Sequence, residues 1–299
     1  MSFLSTLIIT VVVLYLISVI IVFWMLTNNI FIWRSKDYLI PFGTAEDGSL
    51  KKGWLEPEGI RYWICRNPNQ VDDRWVVLLH SWGRNSARMV SRGEIYWDRG
   101  YSLVFVDAWS HGQSKYRKTT TALWFAEHAM KICEIEGIES PIVHGLSFGA
   151  LASTIFASRK PVRAVIAEAL LHDIRGMYEG FMRVLHIPRI LYWWIVVLIL
   201  RMDFPWKEIE PKFTLPRLDM PIFLIHGAKD SMFPPERDFQ KNISLLKEND
   251  WYWLVPNSLH SKMEFHPDHS RMINEFLDHV ENGSQSSAQA IRSSIIIDN

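Results

Sequence analysis

The chain has 299 residues, of which 48% are hydrophobic and 21% are charged, and 32 basic side chains balance 32 acidic ones. This composition is too apolar for an intrinsically disordered protein, and a net charge of zero gives no general attraction to nucleic acid. We therefore expect one large folded domain with an appendage, and no nucleic-acid partner.

The two cysteines, Cys65 and Cys133, lie outside any metal-type spacing. One disulfide is arithmetically possible, but two reduced thiols are the simpler interpretation.

Residues 3–26 form a continuous apolar segment without a charged side chain. At 1.5 Å per residue, a helix of this length reaches about 36 Å, which is enough to cross the hydrocarbon core of a bilayer. A secretory signal peptide is the alternative. However, no Lys or Arg precedes the segment, and Thr27-Asn28-Asn29 is not a small-residue cleavage site. We predict an uncleaved transmembrane anchor, with the lipid bilayer as a partner.

Basic residues follow this segment, and none precedes it: Arg34, Lys36, Lys51 and Lys52. Because cytoplasmic flanks of membrane helices are enriched in Lys and Arg, the folded domain is predicted to be cytoplasmic.

Residues 27–54 are predicted to form a juxtamembrane segment, and residues 55–281 the main domain. Residues 60–65 have the pattern of an edge strand. Buried parallel strands are apolar on both faces, and this pattern occurs at residues 75–79, 103–106, 142–144, 162–170, 222–225 and 251–255. Helical spacing lies between them, at residues 87–99, 121–136, 148–159, 235–247 and 268–280. This alternation predicts an α/β fold with a doubly wound, mostly parallel sheet.

Residues 171–218 interrupt the alternation, because they are too many for a simple connection between a strand and a helix. They include residues 190–200, an apolar run bounded by Arg189 and Arg201 and too short to span a bilayer. We predict an inserted helical lid or an interfacial helix, with ordinary packing of this run on the sheet as the alternative. Residues 282–299 are predicted to be a disordered tail.

The strongest chemical motif is Gly145-Leu146-Ser147-Phe148-Gly149, which matches G-x-S-x-G between a buried strand and a helix start. Glycines on either side of the serine allow a tight turn that lifts its hydroxyl clear of the sheet. The N–H of Phe148, at the helix N-terminus, is then expected to donate to an oxyanion. An isolated match could also be a Gly-Ser helix start adopted for packing.

Two further polar residues follow later strands. Asp230 comes after the apolar run that ends at Ile225, and His260 comes after the run that ends at Val255. The carboxyl ends of parallel strands lie at one edge of a sheet, where ligands bind. The chain order predicts that Ser147 is the nucleophile, Asp230 the orienting acid and His260 the base.

With these motifs, the sequence resembles the α/β-hydrolase superfamily, and more closely its membrane-anchored Bem46-like serine hydrolases, over about residues 55–281. His80-Ser81-Trp82-Gly83 resembles the family's His-Gly-x-Gly oxyanion loop, although Ser81 replaces the first glycine, and implies that Trp82 N–H is the second oxyanion donor. The segment from Asp107 to Ser114 resembles the family's D-x-R-G-H-G-x-S loop, with Trp109-Ser110 in place of Arg-Gly. The resemblance implies a serine hydrolase that cleaves an ester or thioester and uses no cofactor or metal.

Other assignments remain open from the sequence alone. Asp173 also follows a strand and could be the acid, whereas His111 and His144 are expected to be structural. Spacing and the lack of converging carboxylates argue against a zinc site at the C-terminal histidines, which are His260, His266, His269 and His279.

The function also has alternatives. An aromatic lid over the site of a membrane-tethered protein favours a lipophilic acyl substrate. A catalytically idle scaffold, a peptidase or an acyltransferase could contain the same triad. The sequence does not predict the oligomeric state.

Overall fold

A computed structural model describes residues 3–27, 38–70, 72–201 and 204–282. Arg34 and Lys36, which contribute to the predicted orientation, lie outside the described residues. The same is true of residues 283–299, which make up nearly all of the predicted tail.

The N-terminal apolar segment forms one helix, α1 (Phe3–Thr27). In the part of the chain that is described, it is the one helix long and apolar enough to cross a membrane. Its side chains are exposed along most of its length, which a long uncharged helix does not tolerate in water. It is therefore a candidate transmembrane span, and a signal sequence near the N-terminus can also form a long apolar helix.

Eight strands form a single sheet within the described ranges, in the order β1-β2-β4-β3-β5-β6-β7-β8. Their bounds are β1 Leu50–Leu55, β2 Ile60–Cys65, β3 Trp75–Leu79, β4 Ser102–Val106, β5 Ile142–Leu146, β6 Ala164–Glu168, β7 Ile222–Gly227 and β8 Trp251–Val255. In the sheet order, each neighbouring pair in β4-β3-β5-β6-β7-β8 is parallel, and β2 is antiparallel to both β1 and β4. The mostly parallel sheet predicted from the apolar runs is confirmed.

Helices cover both faces of the sheet, because the strands are apolar on both sides. One apolar cluster places α3 (Ala122–Ile135) and α4 (Phe148–Ala157) against one face. The other cluster contains α2 (Val90–Trp97) and α10 (His269–Asn282). This arrangement is the doubly wound fold that the sequence predicts.

The structure differs from the prediction at two places. The strand at residues 60–65 is not at the edge, because β1 pairs outside it. The two adjacent lysines of β1 are exposed, which an edge strand tolerates. The helix predicted over residues 235–247 is reduced to α9 (Phe239–Ile243). The carboxylate of Asp238, just before it, is used in a tertiary contact and accepts a hydrogen bond from His172 N at 2.8 Å.

The insertion between β6 and β7 is helical, as predicted. It contains α5 (Ile174–Val184), α6 (Arg189–Leu200), α7 (Trp206–Ile209) and α8 (Pro211–Thr214). The buried side chains of α6 form an apolar cluster with α1 and α5, separate from the two clusters on the sheet. The alternative, in which this helix simply packs against the sheet, is wrong for most of its buried face.

Candidate active site

The turn between β5 and α4 holds Ser147 in a conformation that few side chains adopt, with φ 54° and ψ −107°. The turn is tight because backbone segments touch where the two glycines of the motif lie. A Cβ on Gly145 would approach Gly149 O to 2.0 Å, and one on Gly149 would approach Leu79 O to 2.0 Å. The close approach therefore requires glycine at both positions.

Ser147, His260 and Asp230 meet at the carboxyl edge of the sheet. The distance from His260 Nε2 to Ser147 Oγ is 3.0 Å, and that from His260 Nδ1 to Asp230 Oδ2 is 2.7 Å. These contacts fit a neutral imidazole that donates from Nδ1 to the carboxylate and accepts from the serine hydroxyl. Residues separated by up to 113 positions are thus joined by two hydrogen bonds.

The carboxylate of Asp230 is held by its own loop. Its Oδ1 accepts hydrogen bonds from the N–H groups of Met232 and Phe233, both at 2.9 Å. His226 Nε2 lies 3.4 Å from the other oxygen, and burial lowers the pKa of this histidine, which favours its neutral form. These contacts fix the carboxylate while Oδ2 faces His260.

The lid reaches His260 through Phe233. The Phe233 ring packs edge-on against the His260 ring, with centroids 5.1 Å apart. Gly180 of α5 lies so close to this loop that a Cβ there would be 2.4 Å from Met232 O and 3.2 Å from the Phe233 ring. A movement of α5 would therefore displace the Phe233 ring and, through it, the imidazole of His260.

The loop after β3 supports the region where an oxyanion would form. The Trp82 ring packs edge-on against Phe148 at 5.1 Å, and His111 Nε2 accepts a hydrogen bond from Gly83 N at 3.1 Å. The Phe148 N–H is the first of α4, where helix geometry provides no carbonyl to accept it. The predicted structural role of His111 fits its position.

Asp107 connects this loop to the juxtamembrane segment. Its Oδ1 accepts from the Ser86 N–H at 2.9 Å and the Ser86 hydroxyl at 2.8 Å, and its Oδ2 accepts from Gln113 N at 2.7 Å. The hydroxyl of Tyr38 donates to the same Oδ2. Asp107 therefore connects the loop after β3, the loop after β4 and the juxtamembrane segment at Tyr38.

A buried ionic network lies behind Ser147, and no local sequence pattern predicts it. Glu168, at the end of β6, pairs with Arg92 of α2, and Arg92 also contacts Glu264 at 3.1 Å. His144 and His269 each place Nε2 2.9 Å from Glu168 Oε1. Burial alone would raise the pKa of Glu168, but the Arg92 guanidinium and the two imidazoles hold it well below its ordinary value.

This network touches both halves of the candidate site. The Ser147 N–H donates to the backbone oxygen of Glu168 at 2.7 Å. Arg88, one turn before Arg92, pairs with Glu264 and donates to Ser261 O, next to His260. The network thus links the turn at Ser147 to the loop that carries His260.

The remaining candidates lie elsewhere. Asp173 caps α5 by accepting from Gly176 N at 2.7 Å and pairs with Arg237, whereas the acid within reach of His260 is Asp230. His266 and His279 pack against the rings of Trp253 and Trp251. Cys65 and Cys133 are both buried free thiols, and burial raises the pKa of each to about 12.

His80 gives the fold a dependence on pH. Its Nε2 accepts from Ala108 N at 3.1 Å while Nδ1 lies 2.8 Å from Ser81 O, so the ring must be neutral. Burial lowers its pKa from 6.5 to about 4. Because the unfolded chain binds this proton at higher pH, we expect stability to fall as the pH drops from 6.5 to 4, by about 3 kcal/mol from this group.

Urea unfolding at several pH values in this window measures the effect. In a His80→Gln variant, the slope of the free energy of unfolding against pH should be smaller by about 1.4 kcal/mol per pH unit, which is the value for one proton. His128 also titrates in this pH window, because burial lowers its pKa to about 4. The variant should therefore keep the part of the pH dependence that comes from His128. Parallel curves for the variant and the natural protein would contradict the assignment.

The sequence matches no protein-family model and no curated protein. Among solved structures, an esterase of Pyrococcus furiosus has a TM-score of 0.62 at 19% identity, over 85% of this chain and 97% of that one. A thermophilic esterase of Thermogutta terrifontis has a TM-score of 0.58 at 16% identity, over 77% and 98%. A membrane phospholipase A, described as a bacterial virulence factor, has a TM-score of 0.59 at 16% identity, over 78% and 87%.

At these identities the likeness establishes the fold. Together with the doubly wound sheet and the turn at Ser147, it shows that the chain has the α/β-hydrolase fold.

Proposed function

We propose that this protein is a membrane-anchored serine hydrolase that cleaves an ester or thioester of a lipophilic acyl group, similar to the Bem46-like α/β-hydrolases. One observation carries the proposal: Ser147, His260 and Asp230, on three separate loops, are joined by hydrogen bonds of 3.0 Å and 2.7 Å. This geometry is that of a nucleophile, its base and the acid that orients the base. The esterases among the structures with this fold support the same reaction class.

In the proposed mechanism, Ser147 Oγ attacks the carbonyl carbon while His260 Nε2 takes the hydroxyl proton. Asp230 keeps the imidazole in the required tautomer and stabilises the imidazolium. The N–H groups of Trp82 and Phe148 donate to the oxyanion, and the loss of one such donor costs about 10²-fold to 10³-fold in kcat.

The intermediate then collapses. The bond to the leaving alcohol or thiol breaks, and His260 returns the proton to that group. His260 next takes a proton from water, whose oxygen attacks the acyl carbon. The bond to Ser147 breaks, the acid departs, and the proton returns to Ser147 Oγ.

Aromatic rings around the triad favour an acyl group over a small polar substrate. Phe233 packs on His260, and Trp82 packs on Phe148 beside the nucleophile. Phe233 and Phe148 are buried, so the half-buried Trp82 is the ring that offers apolar surface to a hydrocarbon chain. We also propose that α1 stays attached as the membrane anchor and that the domain is cytoplasmic, as the basic residues after α1 predict.

A fluorophosphonate probe tests the nucleophile, because it reacts with an activated serine. We expect one covalent adduct, on Ser147, within the tryptic peptide of residues 132–159, as mapped by mass spectrometry. Heat-denatured protein serves as the control and should not react, because unfolding separates the three loops. An adduct on another serine would overturn the triad, and an unreactive native protein would favour the idle binding protein.

A further inference from the structure

Helix α6 carries an exposed apolar stripe along one side. Ile190, Trp194 and Leu198 are 71%, 44% and 55% exposed. Their spacing of four residues places them one above another on the same face of the helix. Three large apolar side chains in a row on one exposed helix face mark a surface that binds something apolar.

The opposite side of α6 packs against the candidate membrane helix. Tyr192, Ile195 and Val196 are buried in a cluster with Val19 of α1. The hydroxyl of Tyr15, one turn earlier in α1, donates to Ile190 O at 3.2 Å. The lid helix is therefore attached to α1, and its apolar stripe faces away from that contact.

The position of the contact along α1 indicates what surrounds the stripe. Val19 lies eight residues before the end of α1 at Thr27, or about 12 Å at 1.5 Å per residue. One leaflet of the hydrocarbon core is about 15 Å deep. If α1 spans a bilayer, the contact with α6 thus falls within the leaflet next to the folded domain.

The ends of α6 fit the same surroundings. Arg189 precedes its apolar residues and Arg201 follows them, and the sequence between these two arginines contains no charge. The guanidinium groups of Arg175 and Arg189 lie over the Trp193 ring, 4.3 and 4.1 Å from its centroid. The indole face thus partly compensates two cations that lie next to the apolar stripe.

We propose that the stripe formed by Ile190, Trp194 and Leu198 contacts the bilayer, so that α6 lies among the acyl chains of the leaflet next to the folded domain. What this contact implies for the substrate rests on the proposed function. Helix α6 packs on α5, and Gly180 of α5 packs on the Phe233 that covers His260. The substrate class is then an ester-containing membrane lipid that enters sideways beneath the lid.

A nitroxide label at Leu198→Cys tests the contact in the full-length protein. The two natural cysteines are buried, so the introduced thiol is the one that reacts. In phosphatidylcholine vesicles we expect the label to collide readily with oxygen, which dissolves in lipid, and poorly with a water-soluble nickel chelate. Ile135→Cys on α3, with a side chain 59% exposed, is the matched control and should show the reverse.

Other results would overturn the proposal. Nickel access at position 198 equal to that at position 135 would show that the stripe faces water. Protection from both reagents would show that protein covers it, such as a second copy of the chain. The nitroxide accessibility can be measured in a Ser147→Ala background, so it does not depend on catalysis. A failed fluorophosphonate reaction would overturn only the proposed function.

A second measurement examines the consequence for the substrate. The triple variant Ile190→Gln, Trp194→Gln and Leu198→Gln keeps good helix formers and leaves the anchor α1 unchanged. We expect the ratio of activity on a lipid ester in vesicles to activity on a soluble butyrate ester to fall about tenfold. Ile135→Gln should leave this ratio unchanged, and an unchanged ratio in the triple variant would overturn lipid delivery through α6.

Discussion

Ser147→Ala should lower kcat for hydrolysis of a laurate ester by about 10⁴-fold to 10⁶-fold, because the variant has no atom that can form the acyl-enzyme. The Trp82 and Phe148 N–H groups and the aromatic rings remain, so substrate binding should change little. The free energy of unfolding should change by less than about 1 kcal/mol, since alanine can occupy the same turn. Steady-state kinetics and urea unfolding measure the two quantities.

A matched control lies on α4, the helix that follows Ser147. Ser153 of α4 is buried, and its hydroxyl donates to Ala150 O at 2.8 Å. Ser153→Ala removes the same atom and should leave kcat within about twofold. A Ser147→Ala variant as active as Ser153→Ala would end the proposal.

A double variant makes the test sharper. If Ser147 and His260 act as one unit, His260→Ala alone should cost about as much as Ser147→Ala, and the two together no more than either alone. Losses that multiply would show two independent roles, such as a serine that binds substrate and a histidine that acts elsewhere.

The convergence of Ser147, Asp230 and His260 could be predicted because local patterns determine where each residue lies. Buried parallel strands require continuous apolar runs, so the end of each run marks the edge of the sheet. Ser147, Asp230 and His260 each follow such an end, and the structure brings them together. The turn at Ser147 was equally visible, because only glycine fits the two close backbone contacts.

The parts that could not be predicted depend on partners distant in sequence. Arg92 and Glu168 are 76 positions apart, and each one alone has the pattern of a solvated charge. Glu168 ends an apolar strand, a place where a charged residue normally marks the exposed rim. Similarly, nothing local shows that Asp238 bonds to His172 and shortens the predicted helix to α9.

The second large effect concerns the stability of this ionic network. Arg92 and Glu168 are fully buried, so removing either one leaves its partner under-compensated in a medium of low polarity. Arg92 then keeps only Glu264, and Glu168 keeps only the two imidazoles. We expect Arg92→Met and Glu168→Gln each to lower the free energy of unfolding by about 3–5 kcal/mol. Urea unfolding at neutral pH measures both variants.

The double variant distinguishes an ionic role from simple packing. Arg92→Met with Glu168→Gln leaves neither charge unpaired, and Glu264 keeps Arg88 as its partner. We expect the double variant to be more stable than the sum of the two single losses predicts, by about 0.5–3 kcal/mol. Additive losses would show that the pair contributes only shape to the core.

An exposed ion pair provides the control for the stability measurements. The kcat of a further variant, Arg88→Met, tests whether the network positions His260. Arg271→Met removes a surface pair with Glu275 and should leave the urea midpoint unchanged. Arg88→Met removes the hydrogen bond to Ser261 O and leaves Glu264 with Arg92 alone. It should lower kcat more than it lowers stability, because it loosens the loop that carries His260. If Arg88→Met instead unfolds the protein while the remaining folded fraction keeps its full kcat, the network supports the core alone and does not position the imidazole.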